Sequence, residues 1–184
     1  MSMFPIASIV NTTPASNITF SNIPQNFAHL QLRVFSRINA PGNSNWYGDF
    51  CTLNGDATSA NYNINGWNTY AVNGAGAQSG TASFYSGSQM VINNVLMDNA
   101  VSQNFHTNTI VDFLDYSNTG KYKTMNSIYG FVCNFAPNNM GQIMGVWNST
   151  SAITNIKISN PINNWTAATR FDLYGITTSN VGSY

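Results

Sequence analysis

Alternation in steps of two dominates the apolar positions of this chain. Residues 29–34 show it most clearly: Leu30, Leu32 and Val34 fall on one side, His29, Gln31 and Arg33 on the other. Successive side chains of a strand point to opposite faces, so this spacing predicts a half-buried strand. Phe35 interrupts the alternation and is read as a bulge or as part of a strand covered on both faces. Residues 17–20 predict a short strand before a turn in which Pro24 fixes its own φ and biases Ile23 toward an extended form. Residues 108–116 predict a strand with Val111 and Phe113 on one face and Ile110, Leu114 and Tyr116 on the other, as expected for cover on both sides. A turn at 117–120 and a return arm at 121–130 complete a hairpin. Lys121 and Lys123 share a face of that arm and are read as guards of a strand edge.

Further strands are predicted at 46–53, 62–72, 84–95, 142–147, 153–159 and 170–176. In the last of these Phe171 and Leu173 oppose Arg170, Asp172 and Tyr174. No window carries a helical period, and residues 94–105 offer a turn or two at most. Many short strands with regular turn signals predict a single-domain, all-β fold: a jelly-roll-like antiparallel β-sandwich over residues 15–184. Residues 1–14 are expected to form an N-terminal arm or edge strand. The long connections at 39–49 and 71–83 suit Greek-key crossings, and the absence of an internal repeat argues against propellers and β-helices.

Composition changes the picture of the surface. Of 184 residues only 7% are charged, with six Lys+Arg and six Asp+Glu, and every acid is Asp. Asn, Ser and Thr number 29, 19 and 17. The polar surface is therefore neutral, which limits solubility as a lone monomer and suits a protein that lives assembled. Six scattered cations make no basic patch, so nucleic-acid partners are not expected. No apolar run approaches the ~20 residues of a membrane helix, so no membrane partner is expected. The segment MSMFPIASIVN carries no basic leader, so manufacture in a cytoplasm is expected, with Cys51 and Cys133 reduced and a single bridge between them left open.

Candidate chemistry is sparse. His29 and His106 stand 77 residues apart with no companion ligand motif, and they read as hydrogen-bonding residues rather than a zinc site. Asp49 and Asp56 sit in an Asn-rich stretch that a calcium ion would need more carboxylates to use. Asp112 and Asp115 point to opposite faces of a strand and cannot act as a glycosidase pair. Neither a nucleophile elbow nor a phosphate loop is present. The expectation is a protein that is not an enzyme and takes no cofactor. Trp46, Tyr47, Trp67 and Tyr70 are read either as core or as a platform for a sugar or a protein partner. Trp147 and Trp165 are read as core.

Four stretches carry a resemblance: NITFSNIPQNFAHLQLRVFSR (17–37), DYSNTGKYKTMNSIYG (115–130), GVWNSTSAITNIKIS (145–159) and TRFDLYGI (169–176). In this order they resemble tailed-bacteriophage virion structural proteins, found as short capsid-associated proteins and as terminal domains of tail fibres. The resemblance covers about half the chain and leaves residues 39–105 unmatched. It implies a non-catalytic β-sandwich module that assembles on a virion, commonly as a homotrimer. Two roles follow as expectations. One is a capsid decoration (cement) protein bound to the major capsid protein or other virion proteins. The other is a fibre-tip module that recognises a host-surface glycan. The sandwich begins close to Met1 with no heptad or collagen-like stretch before it, which favours the first. Phe4, Ile6, Ile9 and Val10 are then expected to join a neighbour by strand addition.

Overall fold

The computed structural model describes residues 2–39, 48–71, 82–93, 106–131 and 138–178, with the backbone alone at 70, 71, 82–85 and 138. The loop expectations at 40–47 and 72–81 and the helical turn at 94–105 lie outside the described residues. Among those residues there are twelve strands and no helix. They are β1 (Ser2–Val10), β2 (Asn17–Phe20), β3 (His29–Ser36), β4 (Phe50–Leu53), β5 (Tyr62–Ala71) and β6 (Ala82–Gly87). β7 (Met90–Val91), β8 (Thr107–Leu114), β9 (Lys123–Phe131), β10 (Asn138–Trp147), β11 (Ile156–Ser159) and β12 (Arg170–Thr177) follow.

The strands form two antiparallel sheets, ordered β1-β12-β3-β8-β9-β10-β5-β6 and β2-β11-β4-β7. Setting aside β5, β6, β9 and β10 leaves eight strands paired first-eighth-third-sixth and second-seventh-fourth-fifth. That is the double Greek key of a jelly roll, so the expected sandwich is the observed one. The four remaining strands are two insertions. β5 and β6 lie between β4 and β7 in sequence, and β9 and β10 between β8 and β11. They meet each other: β10 pairs with β5 from Asn138↔Ala71 to Trp147↔Tyr62, and with β9 on its other side. The jelly roll's longer sheet is thereby doubled in width.

Period-two burial builds the core. Leu30, Leu32 and Val34 of β3, Val111 and Phe113 of β8, and Phe171 and Leu173 of β12 face inward. From the shorter sheet they meet Ile18, Phe20, Cys51, Leu53, Met90, Ile156 and Ile158 in one continuous cluster. Each such side chain contributes roughly 1.5–3 kcal/mol when fully buried, enough in sum to hold the sandwich without a disulfide. Cys51 is a buried free thiol, and Cys133 lies outside the described residues. Trp147 and Trp165 are buried, as expected.

Three local expectations are corrected. Phe35 does not break the alternation: it stays on the outer face, stacked on His106 with ring centroids 4.4 Å apart, and the small polar Ser36 takes the next inward position. Lys123 guards no edge. β9 lies between β8 and β10, and the Lys123 side chain is 1% exposed. Its ammonium turns inward to donate to the carbonyls of Asn118 (2.5 Å), Lys121 (2.8 Å) and Thr150 (3.0 Å), which ties the β8–β9 turn to the loop after β10. The single strand predicted at 84–95 is two strands in different sheets, β6 in the longer and β7 in the shorter, because Ser88–Gln89 lets the chain cross so that Met90 and Ile92 reach the core.

Candidate functional site

Among the described residues, the outer face of the widened sheet exposes several large apolar side chains, Phe35, Trp67, Leu114, Ile128, Met140 and Met144. Register defines its rows. One row runs Arg33, Ile110, Ile128, Gln142, Trp67, and the next runs Gln31, Asp112, Asn126, Met144, Asn65. The charged groups sit at the β12–β3–β8 end. There the Arg33 guanidinium donates to Gln31 Oε1 at 2.9 Å and lies 5.2 Å from the Tyr174 ring centroid. Gln31 in turn donates to Asp112 Oδ1 at 2.9 Å, and Arg170 is paired with Asp172 at 2.8 Å.

Beyond Asp112, on β9, β10 and β5, the described outward side chains are neutral. Ile128 (54%), Met140 (56%), Met144 (62%) and Trp67 (48%) are exposed, interleaved with amides. Gln142 Nε2 donates to Asn126 Oδ1 at 2.8 Å, which holds the amides in the plane of the face. A shallow hollow of about 240 Å³ between Trp67 and Met144 is floored by Gly66 and edged by Asn65 and Gln142. Methionine is unbranched and polarizable, and it adapts to irregular partner surfaces. Tryptophan offers a rigid apolar plate with one donor. Because no charge must be stripped of water here, such a face can be buried at little electrostatic expense.

β10 packs closely on its neighbours through glycine on its inner side. A Cβ on Gly141 would come within 2.5 Å of Tyr129 Oη, so only glycine lets that tyrosine pack beneath Met140 and Gln142. The alternation NNMGQIMGVW carries this signal. Glycine, isoleucine and tryptophan occupy one parity, methionine and glutamine the other, but parity alone does not say which face is inside.

The residues singled out from sequence fall in two places. Phe4 and Val10 are 46% and 51% exposed on β1, while Ile6 and Ile9 are half-buried against the core. The segment takes the edge-strand form: β1 pairs with β12 from Ser2↔Thr177 to Val10↔Arg170, with an irregularity between Pro5 and Ala7. It is the terminal strand of the sheet among the described residues. Phe4 rests against Phe27, ring centroids 6.1 Å apart. Trp67 stands on the outer face just described. Tyr70 lies three residues further along β5, its backbone opposite Asn139. Trp46 and Tyr47 lie outside the described residues. Ile128, Met140 and Met144 are not singled out by the sequence.

Two of the described aspartates, Asp49 and Asp56, each hold a tryptophan indole. Asp49, fully buried, accepts hydrogen bonds from Asn93 Nδ2 (3.0 Å), Trp165 Nε1 (2.9 Å) and Asn160 Nδ2 (3.3 Å). Burial pushes its pKa up to about 6 against the pull of these donors. Asp56 is the counterpart at the other tryptophan and accepts from Trp147 Nε1 at 2.7 Å and Asn61 at 2.9 Å. Partial burial pushes its carboxyl up, but the Trp147, Asn61 and Thr58 donors outweigh it and hold the carboxyl well below the usual range. The two aspartates are thus committed to separate tryptophans. His29 Nδ1 accepts the Asp115 backbone N–H at 3.0 Å, and Lys121 is ion-paired with Asp115. Among the described residues no three His, Cys, Asp or Glu side chains gather as a metal site. No known protein family matches the sequence, and no curated protein matches it.

Proposed function

We propose that this chain is a structural virion protein, a decoration (cement) protein that binds the assembled phage head as a homotrimer and stabilises it. The observation that supports this reading is the neutral face of Trp67, Ile128, Met140 and Met144 on the widened sheet. The four stretches that resemble phage virion proteins supply the setting. A contact of ~800 Å² per partner is enough for specific association and needs no high charge. Three linked copies raise the effective concentration of each further contact. A ligand that binds the closed shell and not its parts stabilises the shell by mass action. The edge of β1 offers a second contact of a different kind, main-chain pairing with a neighbour.

The test is thermal rupture of phage heads with and without the protein. The expected outcome is rupture at lower temperature in its absence, and loss of both binding and protection when Met144→Glu places a charge on the face. Equal rupture temperatures with and without protein would reject the cement role. A second reading is a fibre-tip module for a host-surface glycan, favoured by the exposed Trp67 ring beside the Asn65 and Gln142 amides. A glycan array with Trp67→Ala as control decides it: no wild-type signal removes that reading.

A further inference from the structure

A second concave site lies away from the outer face, at the end of the shorter sheet. It is a polar hollow of about 410 Å³, within the range of small-molecule sites (roughly 300–1,000 Å³), bounded by Asn17, Asn39, Lys157, Asn160, Ile162 and Asn164. Its rim is pre-organised. Asn160 Nδ2 is anchored to the buried Asp49 carboxyl, and its Oδ1 accepts the backbone N–H groups of Ile162 (3.2 Å) and Asn163 (2.9 Å). Backbone bonds from Asn160 to Ser16 (2.9 Å) and from Asn39 to Asn164 (2.8 Å) fasten both sides. The hollow's shape is therefore set by the core and not by its own surface side chains.

Its charge is also singular. Lys121 and Arg170 are paired with aspartates, Lys123 is spent on carbonyls, Arg33 lies over Tyr174 and donates to Gln31, and Arg37 has interactions of its own. Lys157 is the one cation among the described residues whose side chain has no ion pair and no hydrogen bond, and it borders this hollow. Primary amides offer a donor and an acceptor side by side, the pairing that a vicinal diol requires. The ammonium adds one anion-seeking point charge. Ile162, 58% exposed, gives an apolar patch for the C–H face of a ring.

The geometry points to a site for an acidic sugar residue, with the Asn17 and Asn164 side-chain amides on ring hydroxyls and Lys157 on the carboxylate. This site is independent of the cement reading, which uses the opposite sheet and no sugar. The experiment titrates the intact protein with methyl glucuronide, methyl glucoside and acetate, following backbone amide resonances. The expected result is saturable glucuronide binding in the millimolar range that shifts the amides around Lys157 and Asn160–Asn164. The glucoside should bind about tenfold more weakly, the loss of one charge contact. Lys157→Gln should bring glucuronide down to the glucoside's level. Since Lys157 is exposed on β11, that variant should melt with the wild type. Asn164→Ala, also at the surface, should weaken both sugars. No saturation with glucuronide would overturn the proposal. So would acetate acting as well as glucuronide, which would mean a bare anion site, or an unchanged Lys157→Gln.

Discussion

Replacing Asp49 with asparagine isolates what a buried carboxylate does to this fold. The side chain lies just before β4 and gathers donors from Asn93 after β7, Asn160 after β11 and Trp165 before β12. Burial lifts its pKa from 3.8 to about 6 in the folded chain. The unfolded chain releases this proton near pH 4, whereas the folded chain keeps it until about pH 6. The contribution of Asp49 is therefore fully present below the unfolded pKa and is lost as pH rises through the folded one. The gap corresponds to about 3 kcal/mol, or two orders of magnitude in the unfolding constant. The substituted amide cannot ionise. It also places an N–H₂ group against a donor, which adds an offset that does not vary with pH.

The assay is urea unfolding of both proteins from about pH 3, below the unfolded pKa, to about pH 8. Every other titrating group is shared and cancels in the difference. The wild type should lose about 3 kcal/mol relative to Asp49→Asn across that window. For a chain of this size that is about 6–12 °C in relative Tm. Parallel pH curves for the two proteins would refute the reasoning, because they would mean that Asp49 ionises as readily folded as unfolded.

Lys123→Met should destabilise by about 2 kcal/mol, since it leaves the carbonyls of Asn118, Lys121 and Thr150 without their shared donor; denaturant unfolding measures it, and a neutral result would show that the turn does not need the ammonium. Gly175→Ala should lose about 1–3 kcal/mol because the added Cβ enters the Phe27 ring, and a double-mutant cycle with Phe27→Leu should show coupling between the two sites. Burial raises the Cys51 thiol to about 12. In a Cys133→Ser background, Cys51 should therefore ignore an aromatic disulfide reagent until urea unfolds the chain; fast native-state reaction would contradict its placement.

The strands most legible in the sequence are those with one apolar and one polar face. β2, β3 and β12 fall within a residue or two of their alternating stretches, because parity there has a single low-energy solution. β8 and β10 carry apolar residues on both parities, so their existence is legible while the destination of each face is not. Met140 and Met144 are apolar by type, and only register with β5 and β9 shows that they face outward. The bond between Asp49 and Trp165 spans 116 residues, and no local pattern announces it. Lys123 has the sequence signature of a surface cation, because lysine at a strand start is usually solvated; only the folded turn supplies three carbonyls within reach. Among the singled-out aromatics, Trp67 stands out by type in a neutral stretch, and its exposure on the outer face comes only from pairing.

The two insertions that widen the long sheet have a consequence for how this architecture can vary. Each enters through a different jelly-roll connection, yet β10 finds its outer neighbour only in β5, a strand of the other insertion. Removing either one alone would leave its counterpart with a bare row of amides and carbonyls, open to any passing strand. The two hairpin-like additions therefore make one unit of inheritance, and a graft or deletion that respects the fold has to move both together.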